Sequence, residues 1–241
     1  MGEGWQNAAG ALEHTVDRPT KRREFFKAIG LGGALLAMPA LPALVTACDN
    51  KNNITGFADS ATLDFASDVG VLNYAYALEQ LEAAFYTQVA SSFAADLSAS
   101  ERTVLTDIRD HEIIHRDFFK ATLGADAIGN LEVNFSSINF SSRASVLGTA
   151  KAFEDLGVSA YNGAARRLKR KDYLLLAGKI VSVEARHAAA IRDLLNLKSA
   201  DFAGDDVVLS SGFDVVREPG AVLAIAGAYI KTPVTVKNLS A

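Results

Sequence analysis

Four stretches of this chain repeat apolar residues at the spacing of an α-helix. They predict helices over about residues 64–90, 98–123, 143–168 and 172–195. One face of each stretch is small or apolar, and the same face also carries glutamate or histidine. We therefore predict an all-α fold, a four-helix bundle that holds ionisable side chains in its core.

The connections between these helices predict the topology. Ser98 and Glu101 form a capping box at the start of the second helix, and Gly124 is placed to end it. Residues 125–142 are too long for a hairpin, which is typical of the one long crossover found in some four-helix bundles. The short segment 169–171 makes the third and fourth helices antiparallel neighbours.

Residues 196–241 lose the helical pattern and form a predicted C-terminal extension. Residues 206–209 favour a short extended piece, and Pro219 suits the first turn of a short helix over 220–228. The tail 231–241 is rich in β-branched residues. We expect the extension to pack across the bundle.

Composition and charge narrow the function classes. The chain has 241 residues, 49% of them hydrophobic, and a formal net charge of −4. This size fits one globular domain with additions, and no long basic run points to nucleic acid. Cys48 is the single cysteine, which excludes an intramolecular disulfide and any Cys-x-x-Cys site.

The first 48 residues have the pattern of an export signal. Arg22 and Arg23 are followed by a glutamate, two phenylalanines and a lysine, which resembles the twin-arginine signal. The apolar stretch 28–47 comes next, and its glycines and prolines favour a signal peptide over a membrane-spanning helix. A buried helix with a basic start is the alternative, but the same helix breakers disfavour it.

The apolar stretch ends in Leu44-Val45-Thr46-Ala47-Cys48, which is similar to a bacterial lipobox. Such a sequence implies that Cys48 becomes the lipidated first residue of the mature chain, while ordinary cleavage without lipid is the alternative. Residues 49–63 are polar and predict a tether to the bundle at 64–195. These features predict a protein carried by the twin-arginine machinery to the periplasm or cell envelope and held to the membrane by lipid.

Two Glu-x-x-His motifs lie 72 residues apart, on the second and fourth predicted helices. They are Glu112 with His115, and Glu184 with His187. Residues three apart share one helix face, so each pair can direct a carboxylate and an imidazole at one metal ion. Outside the leader the chain has three histidines. Two of these three histidines have a glutamate three residues before them. Chance alone would produce this in less than about one case in a hundred.

The first and third helices offer further glutamates. The third helix offers Glu154, and the first offers Glu79 or Glu82. An internal repeat favours Glu79, because Tyr86 follows it by seven residues, just as Tyr161 follows Glu154. Glu82 stays a candidate additional ligand on the same face. The two tyrosines fit either aromatic core packing or a hydrogen-bonding or redox role.

These positions predict a dinuclear metal site with six ligands. The predicted ligands are Glu79, Glu112, His115, Glu154, Glu184 and His187. A carboxylate-rich site with one imidazole per ion and no thiolate suits iron or manganese, and such ions react with O₂ or peroxide. His111, Asp110 and Asp155 are candidates for hydrogen bonds to the ligands, although an ordinary, partly exposed histidine is the simpler reading of His111.

Residues 72–86, with the sequence LNYAYALEQLEAAFY, resemble the ferritin-like superfamily, and within it the exported group that includes desiccation-related proteins. The resemblance covers about residues 64–230. It implies a ferritin-like bundle with two bound iron ions, the six residues above as ligands, and Glu112 and Glu184 as the bridging pair. His111 and Val183 stand where bacterioferritins carry aspartates, so the surroundings of the ligands must differ.

Three functions are compatible with this site. The first is a di-iron oxidoreductase that oxidises Fe²⁺ with O₂ or reduces peroxide, alone or as a homo-oligomer. The second is an envelope stress or desiccation protein in which the metal only stabilises the bundle. The third is an enzyme resembling manganese catalase.

Overall fold

The computed structural model describes residues 56–239, so the predicted leader with Arg22, Arg23 and Cys48 lies outside the described residues. The helices are α1 (Asp68–Ser91), α2 (Ala99–Leu123), α3 (Arg143–Ala165), α4 (Lys171–Leu195) and the short α5 (Pro219–Ala226). One long crossover, residues 124–142, joins α2 to α3. The predicted all-α bundle with a single long crossover is therefore confirmed for the described part of the chain.

Helix α2 begins and ends where the sequence predicts. The backbone N–H of Glu101 donates to the Ser98 hydroxyl at 3.3 Å, and the Ser98 N–H donates to the Glu101 carboxylate at 2.7 Å. Arg143 donates to the same carboxylate at 2.6 Å, which ties the start of α3 to the start of α2. The helix ends at Leu123, directly before Gly124.

Helix α1 is buried on almost every side because the crossover covers its outer face. The Asn73 side-chain amide donates to the Asp126 carbonyl and accepts from the Ile128 N–H, both at 2.8 Å. About two turns further along, the Gln80 side chain accepts from the Leu131 N–H at 2.8 Å. These bonds satisfy backbone groups of the crossover that would otherwise be buried without partners.

The four long helices pack in two close pairs, α1 with α2 and α3 with α4, and further contacts join α1 to α3 and α2 to α4. A cluster of aromatic rings fills the core at one end. Phe85 lies 5.0 Å from Tyr86 and 5.2 Å from Phe153, measured between ring centroids. Edge-to-face packing of this kind stabilises the end of the bundle next to the ionisable residues.

The C-terminal extension packs along α3 and then returns to the start of the bundle. The Arg217 N–H donates to the Ser159 carbonyl at 3.0 Å, and the predicted short helix is present as α5. Residues 206–209 form no strand of the sheet, and Val208 makes an isolated bridge with Asp214. The extension is held to α3 by the Arg217 bond and to α4 by Arg192, which donates to the Asp206 carboxylate at 2.7 Å.

The tail forms a strand that the sequence did not predict. Strand β1 (Ala61–Asp64) pairs in parallel with β2 (Val234–Lys237), with Ala61 opposite Val234. Leu63 in β1 is fully buried. The sequence assigned residues 49–63 to a tether, but residues 61–63 belong to this strand. Two four-residue strands so far apart in sequence carry no local signal of their pairing.

No helix among residues 56–239 combines the length and the apolar character needed to cross a membrane.

Candidate metal centre

Six predicted ligand residues converge at the centre of the bundle. Helices α1 and α3 provide one glutamate each, while α2 and α4 each provide one Glu-x-x-His pair. All four glutamates are 0% exposed, and His115 and His187 are 8% and 4% exposed. The helical period explains the convergence, since residues three apart on α2 and on α4 point to the same side.

The ligand atoms form two overlapping sets. Within each set, one ligand atom from each residue lies within 4.8 Å of the others. The first set is Glu79, Glu112, His115 and Glu184; the second is Glu112, Glu154, Glu184 and His187. Glu112 and Glu184 belong to both sets, so they lie between two positions that can each hold a metal ion.

The histidines reach across the bundle to the glutamate of the opposite motif. His115 Nδ1 lies 2.7 Å from Glu184 Oε1, and His187 Nδ1 lies 2.8 Å from Glu112 Oε1. Each Nδ1 atom is also 3.5 Å from a third carboxylate, Glu79 for His115 and Glu154 for His187. The two halves of the site therefore have closely similar geometry.

Although the histidine–glutamate distances are short, most of these atoms make no hydrogen bond of good geometry with residues 56–239. The eight atoms are Glu79 Oε2, both carboxylate oxygens of Glu112 and of Glu184, Glu154 Oε2, His115 Nδ1 and His187 Nδ1. Leaving buried polar groups unsatisfied costs about 1–3 kcal/mol each. Eight such atoms facing one another could serve as the donor set of a metal site, and oxygen and imidazole donors of this kind fit iron or manganese.

The two tyrosines bind the outer carboxylate oxygens. Tyr86 on α1 donates its hydroxyl to Glu154 Oε1 on α3 at 2.5 Å. Tyr161 on α3 donates to Glu79 Oε1 on α1. Burial first, and then the nearby carboxylate, raises the pKa of both hydroxyls well above the usual range, so both stay protonated. Each tyrosine leaves the second oxygen of its glutamate facing the centre, which supports the hydrogen-bonding role.

The imidazoles provide positive charge when no metal is bound. Burial alone would lower the pKa of His115, but the neighbouring carboxylates, Glu112 first among them, raise it to about 12. Burial would also lower the pKa of His187, but the charge of Glu154 and contacts with the other carboxylates raise it well above its usual range. Two imidazolium ions therefore offset part of the buried negative charge.

The pKa values of the two shared carboxyls, Glu112 and Glu184, are shifted in opposite directions. Burial, reinforced by the charge of Glu184, raises the pKa of Glu112 to about 8. Burial would raise the pKa of Glu184 as well, but contacts with the two histidines lower it to about 2. The two carboxyls repel each other, so protonation of one keeps the other ionised.

The metal-free protein is expected to lose stability as the pH rises from 4.5 to 8. The pKa of Glu112 rises from 4.5 to about 8 on folding, and that of His115 from 6.5 to about 12. Across these intervals the folded state keeps protons that the unfolded chain has released, so raising the pH favours unfolding. The lowered pKa of Glu184 acts only on the acid side, where its stabilisation is lost below 4.5.

Thermal melts of the metal-free protein between pH 4.5 and 8 check this expectation. The melting temperature should fall with pH, and the fall should be shallower in a Glu112→Gln variant. A melting temperature that rises across this interval would contradict the assignment.

Glu82 lies beside the six residues and breaks the repeat. It is 3% exposed, and burial together with the nearby carboxylates, Glu112 first, raises its pKa well above the usual value. The repeat places Gly157 at the equivalent position of the other half, 75 residues on. A Cβ atom at Gly157 would lie 2.9 Å from Glu82 Oε1. The missing side chain at 157 therefore gives the Glu82 carboxyl its space.

The three residues predicted to form hydrogen bonds with the ligands differ in what they contact. His111 Nδ1 lies 2.8 Å from His187 Nε2, and the two rings stack with centroids 5.1 Å apart. Asp110 pairs with Arg109 at 2.8 Å, and Asp155 pairs with Arg192 at 2.7 Å. His111 thus touches a candidate ligand, whereas the two aspartates hold arginines. The stacking depends on the distance between α2 and α4, which the sequence does not show.

The fold and this cluster define a class of helical-bundle proteins in which buried carboxylates and histidines can hold metal ions. A family model described as ferritin-like domain matches residues 67–197, more than half of the chain. The chain belongs to the ferritin-like domain family, which confirms the predicted superfamily. A comparison with curated proteins found no match.

Proposed function

We propose that this protein binds two iron ions in the bundle core and acts as an oxidoreductase that oxidises Fe²⁺ or reduces peroxide. One observation carries the proposal: two overlapping ligand sets share Glu112 and Glu184. Sharing two carboxylates brings two cations close together, which is the arrangement used for two-electron chemistry at paired metals.

Charge supports the choice of two divalent cations. The four glutamates that belong to the ligand sets are fully buried, and together they carry four negative charges when ionised. Two divalent ions balance that charge without help from protons, and the histidines then bind as neutral ligands. Anionic oxygen ligands also stabilise a trivalent ion, so the set suits a metal that changes oxidation state.

Iron is proposed as substrate and electron source. Oxidation of two Fe²⁺ ions releases two electrons, which convert O₂ and two protons to hydrogen peroxide, or hydrogen peroxide and two protons to two waters. The protein holds the carboxylates in place for this reaction. Tyr86 and Tyr161 each donate to the outer oxygen of a glutamate, and this bond keeps the second oxygen of that glutamate facing the centre.

Anaerobic titration of the metal-free protein with Fe²⁺, followed by O₂ or peroxide, tests the proposal. We expect two Fe²⁺ per chain to bind and a ferric absorbance band to develop with repeated turnover. Metal-dependent melting without any turnover would support a structural metal in a stress-protective protein instead. Evolution of O₂ from peroxide by the manganese-loaded protein would identify the catalase-like alternative. Elemental analysis of the natively exported protein distinguishes iron from manganese directly.

Export and lipid attachment form a separate part of the proposal. Arg22 and Arg23 support transport through the twin-arginine machinery, and Cys48 at the end of the apolar stretch supports lipidation. Since the ligands come from four helices, the site forms only in the folded chain. A route that exports folded proteins would allow the metal to be bound before transport.

A Cys48→Ala variant is expected to move the protein from the membrane fraction to the soluble fraction, because the lipid would be its anchor. Fractionation followed by mass spectrometry of the mature N-terminus measures this. The matched control is Arg22→Lys with Arg23→Lys, which should instead keep the unprocessed precursor inside the cell. A Cys48→Ala protein that stays in the membrane fraction would disprove lipid anchoring.

A further inference from the structure

The two halves of the site differ at the position directly before each Glu-x-x-His glutamate, which is His111 in one half and Val183 in the other. His187 presents Nδ1 to the carboxylates, 2.8 Å from Glu112 Oε1, and presents Nε2 to His111 Nδ1, also at 2.8 Å. The two rings are nearly parallel, with an interplanar angle of 11°. In the other half, the position equivalent to His111 by the 72-residue offset is Val183, whose side chain has no hydrogen-bonding atom.

We propose that the two metal positions are inequivalent, and that His111 makes the position at Glu154 and His187 the first to bind a divalent cation. This inference rests on the proposed metal site and assigns a filling order within it. His111 is a positioning residue, because it acts through His187.

The tautomer of His187 favours cation binding at this position. A neutral imidazole that binds a cation through Nδ1 must carry its proton on Nε2. That proton points at His111 Nδ1, which accepts it when His111 carries its own proton on Nε2. The hydrogen bond therefore selects the one neutral form of His187 that can bind at the centre, and it makes Nδ1 a better donor.

The orientation of the His187 ring also favours binding at this position. Ring stacking on His111 and the Nε2 contact hold the His187 ring in place before any ion arrives. A ligand that is already oriented loses less conformational freedom on binding, so the ion binds more tightly. His115 faces the same carboxylates, with Nδ1 2.7 Å from Glu184 Oε1, but the residue equivalent to His111 in that half is Val183, whose side chain has no acceptor atom.

Titration of the metal-free protein with Co²⁺ tests the inference through binding rather than turnover. Calorimetry and visible absorbance should show two steps in the parent protein. A His111→Ala variant should weaken the tighter step by about 10-fold to 100-fold, the usual effect of removing a hydrogen bond to a metal ligand. The weaker step should change by less than about threefold. Crystals prepared with one equivalent of Co²⁺ should show anomalous density beside His187.

Two further variants separate positioning from a general packing effect. His111→Asn keeps an acceptor atom and should restore most of the lost affinity. Val183→Ala alters the equivalent residue of the other half and should leave both steps unchanged. Metal-free melting curves check that each variant is folded.

The inference is overturned if His111→Ala leaves both steps unchanged, if both steps weaken equally, if asparagine does not rescue, or if the first ion lies beside His115. In each of these cases the proposed metal site itself stands, because two ions still bind to the parent protein. Absence of any Co²⁺ binding to the parent would overturn both.

Discussion

Replacing Glu112 with glutamine is expected to remove tight binding at both metal positions at once. Glu112 belongs to both ligand sets, so a single substitution deprives each ion of a carboxylate. The loss should exceed about 100-fold in affinity, the upper end of the effect seen when only a hydrogen bond to a ligand is removed. Ferric absorbance on addition of Fe²⁺ and O₂ should disappear with it.

The same variant should separate metal binding from folding. At a thousandfold excess of metal over its Kd, each bound ion stabilises the parent by about 4 kcal/mol. Each ion therefore raises Tm by roughly 10 °C for a domain of this size. The variant should lose that increment. Without metal it should be at least as stable as the parent at neutral pH, because the amide avoids the burial and repulsion that raise the pKa of the Glu112 carboxyl to about 8.

Glu101→Gln is the matched control, since Glu101 lies on the same helix and is 7% exposed. It caps α2 and pairs with Arg143 at 2.6 Å, so its loss should destabilise the fold by about 1 kcal/mol while both ions still bind. Calorimetric titration and thermal melts of the three proteins decide the matter. Undiminished binding by Glu112→Gln would show that the metal is held elsewhere.

Replacing Gly163 with alanine is expected to destabilise the fold by about 3 kcal/mol or more. A Cβ atom there would lie 1.8 Å from the Arg217 carbonyl oxygen, and backbone cannot move aside as a flexible side chain can. The substitution must push the extension away from α3 and disturb the Arg217 N–H bond to the Ser159 carbonyl. Glycine at 163 is therefore required by this close approach.

Gly148 on the same helix provides the control, because a Cβ atom at that position meets nothing within 4 Å. Gly148→Ala should stabilise the protein by up to about 1 kcal/mol, since alanine has the higher helix propensity. Urea unfolding of the two variants measures the contrast. Equal stabilities would mean that the extension does not press on α3.

Much of the bundle follows from local sequence. The ends of α2 come from a capping box and a glycine, and the ligand faces come from residues three apart on one helix. The repeat of Glu79 with Tyr86 and Glu154 with Tyr161 pointed to two glutamates that lie in the central clusters, although it did not show that each tyrosine binds the glutamate of the other half. That crossing depends on the relative position of α1 and α3.

The parts that sequence did not predict join residues far apart in the chain. Strands β1 and β2 each have four residues, and their pairing is decided by where the bundle brings the two ends. The sequence does not explain why residue 157 is glycine. The structure does, because the Glu82 carboxyl occupies the space that a side chain at 157 would need.

The sequence by itself determined the helices, the crossover and the residues able to bind metal, because helical period and ligand spacing are local properties. The tertiary structure alone decided which atoms meet. It brought Glu112 and Glu184 into both ligand sets, and it set His111 behind His187 while the other half has valine at the equivalent position. Distances between helices decide such contacts, and those distances depend on packing across the whole core.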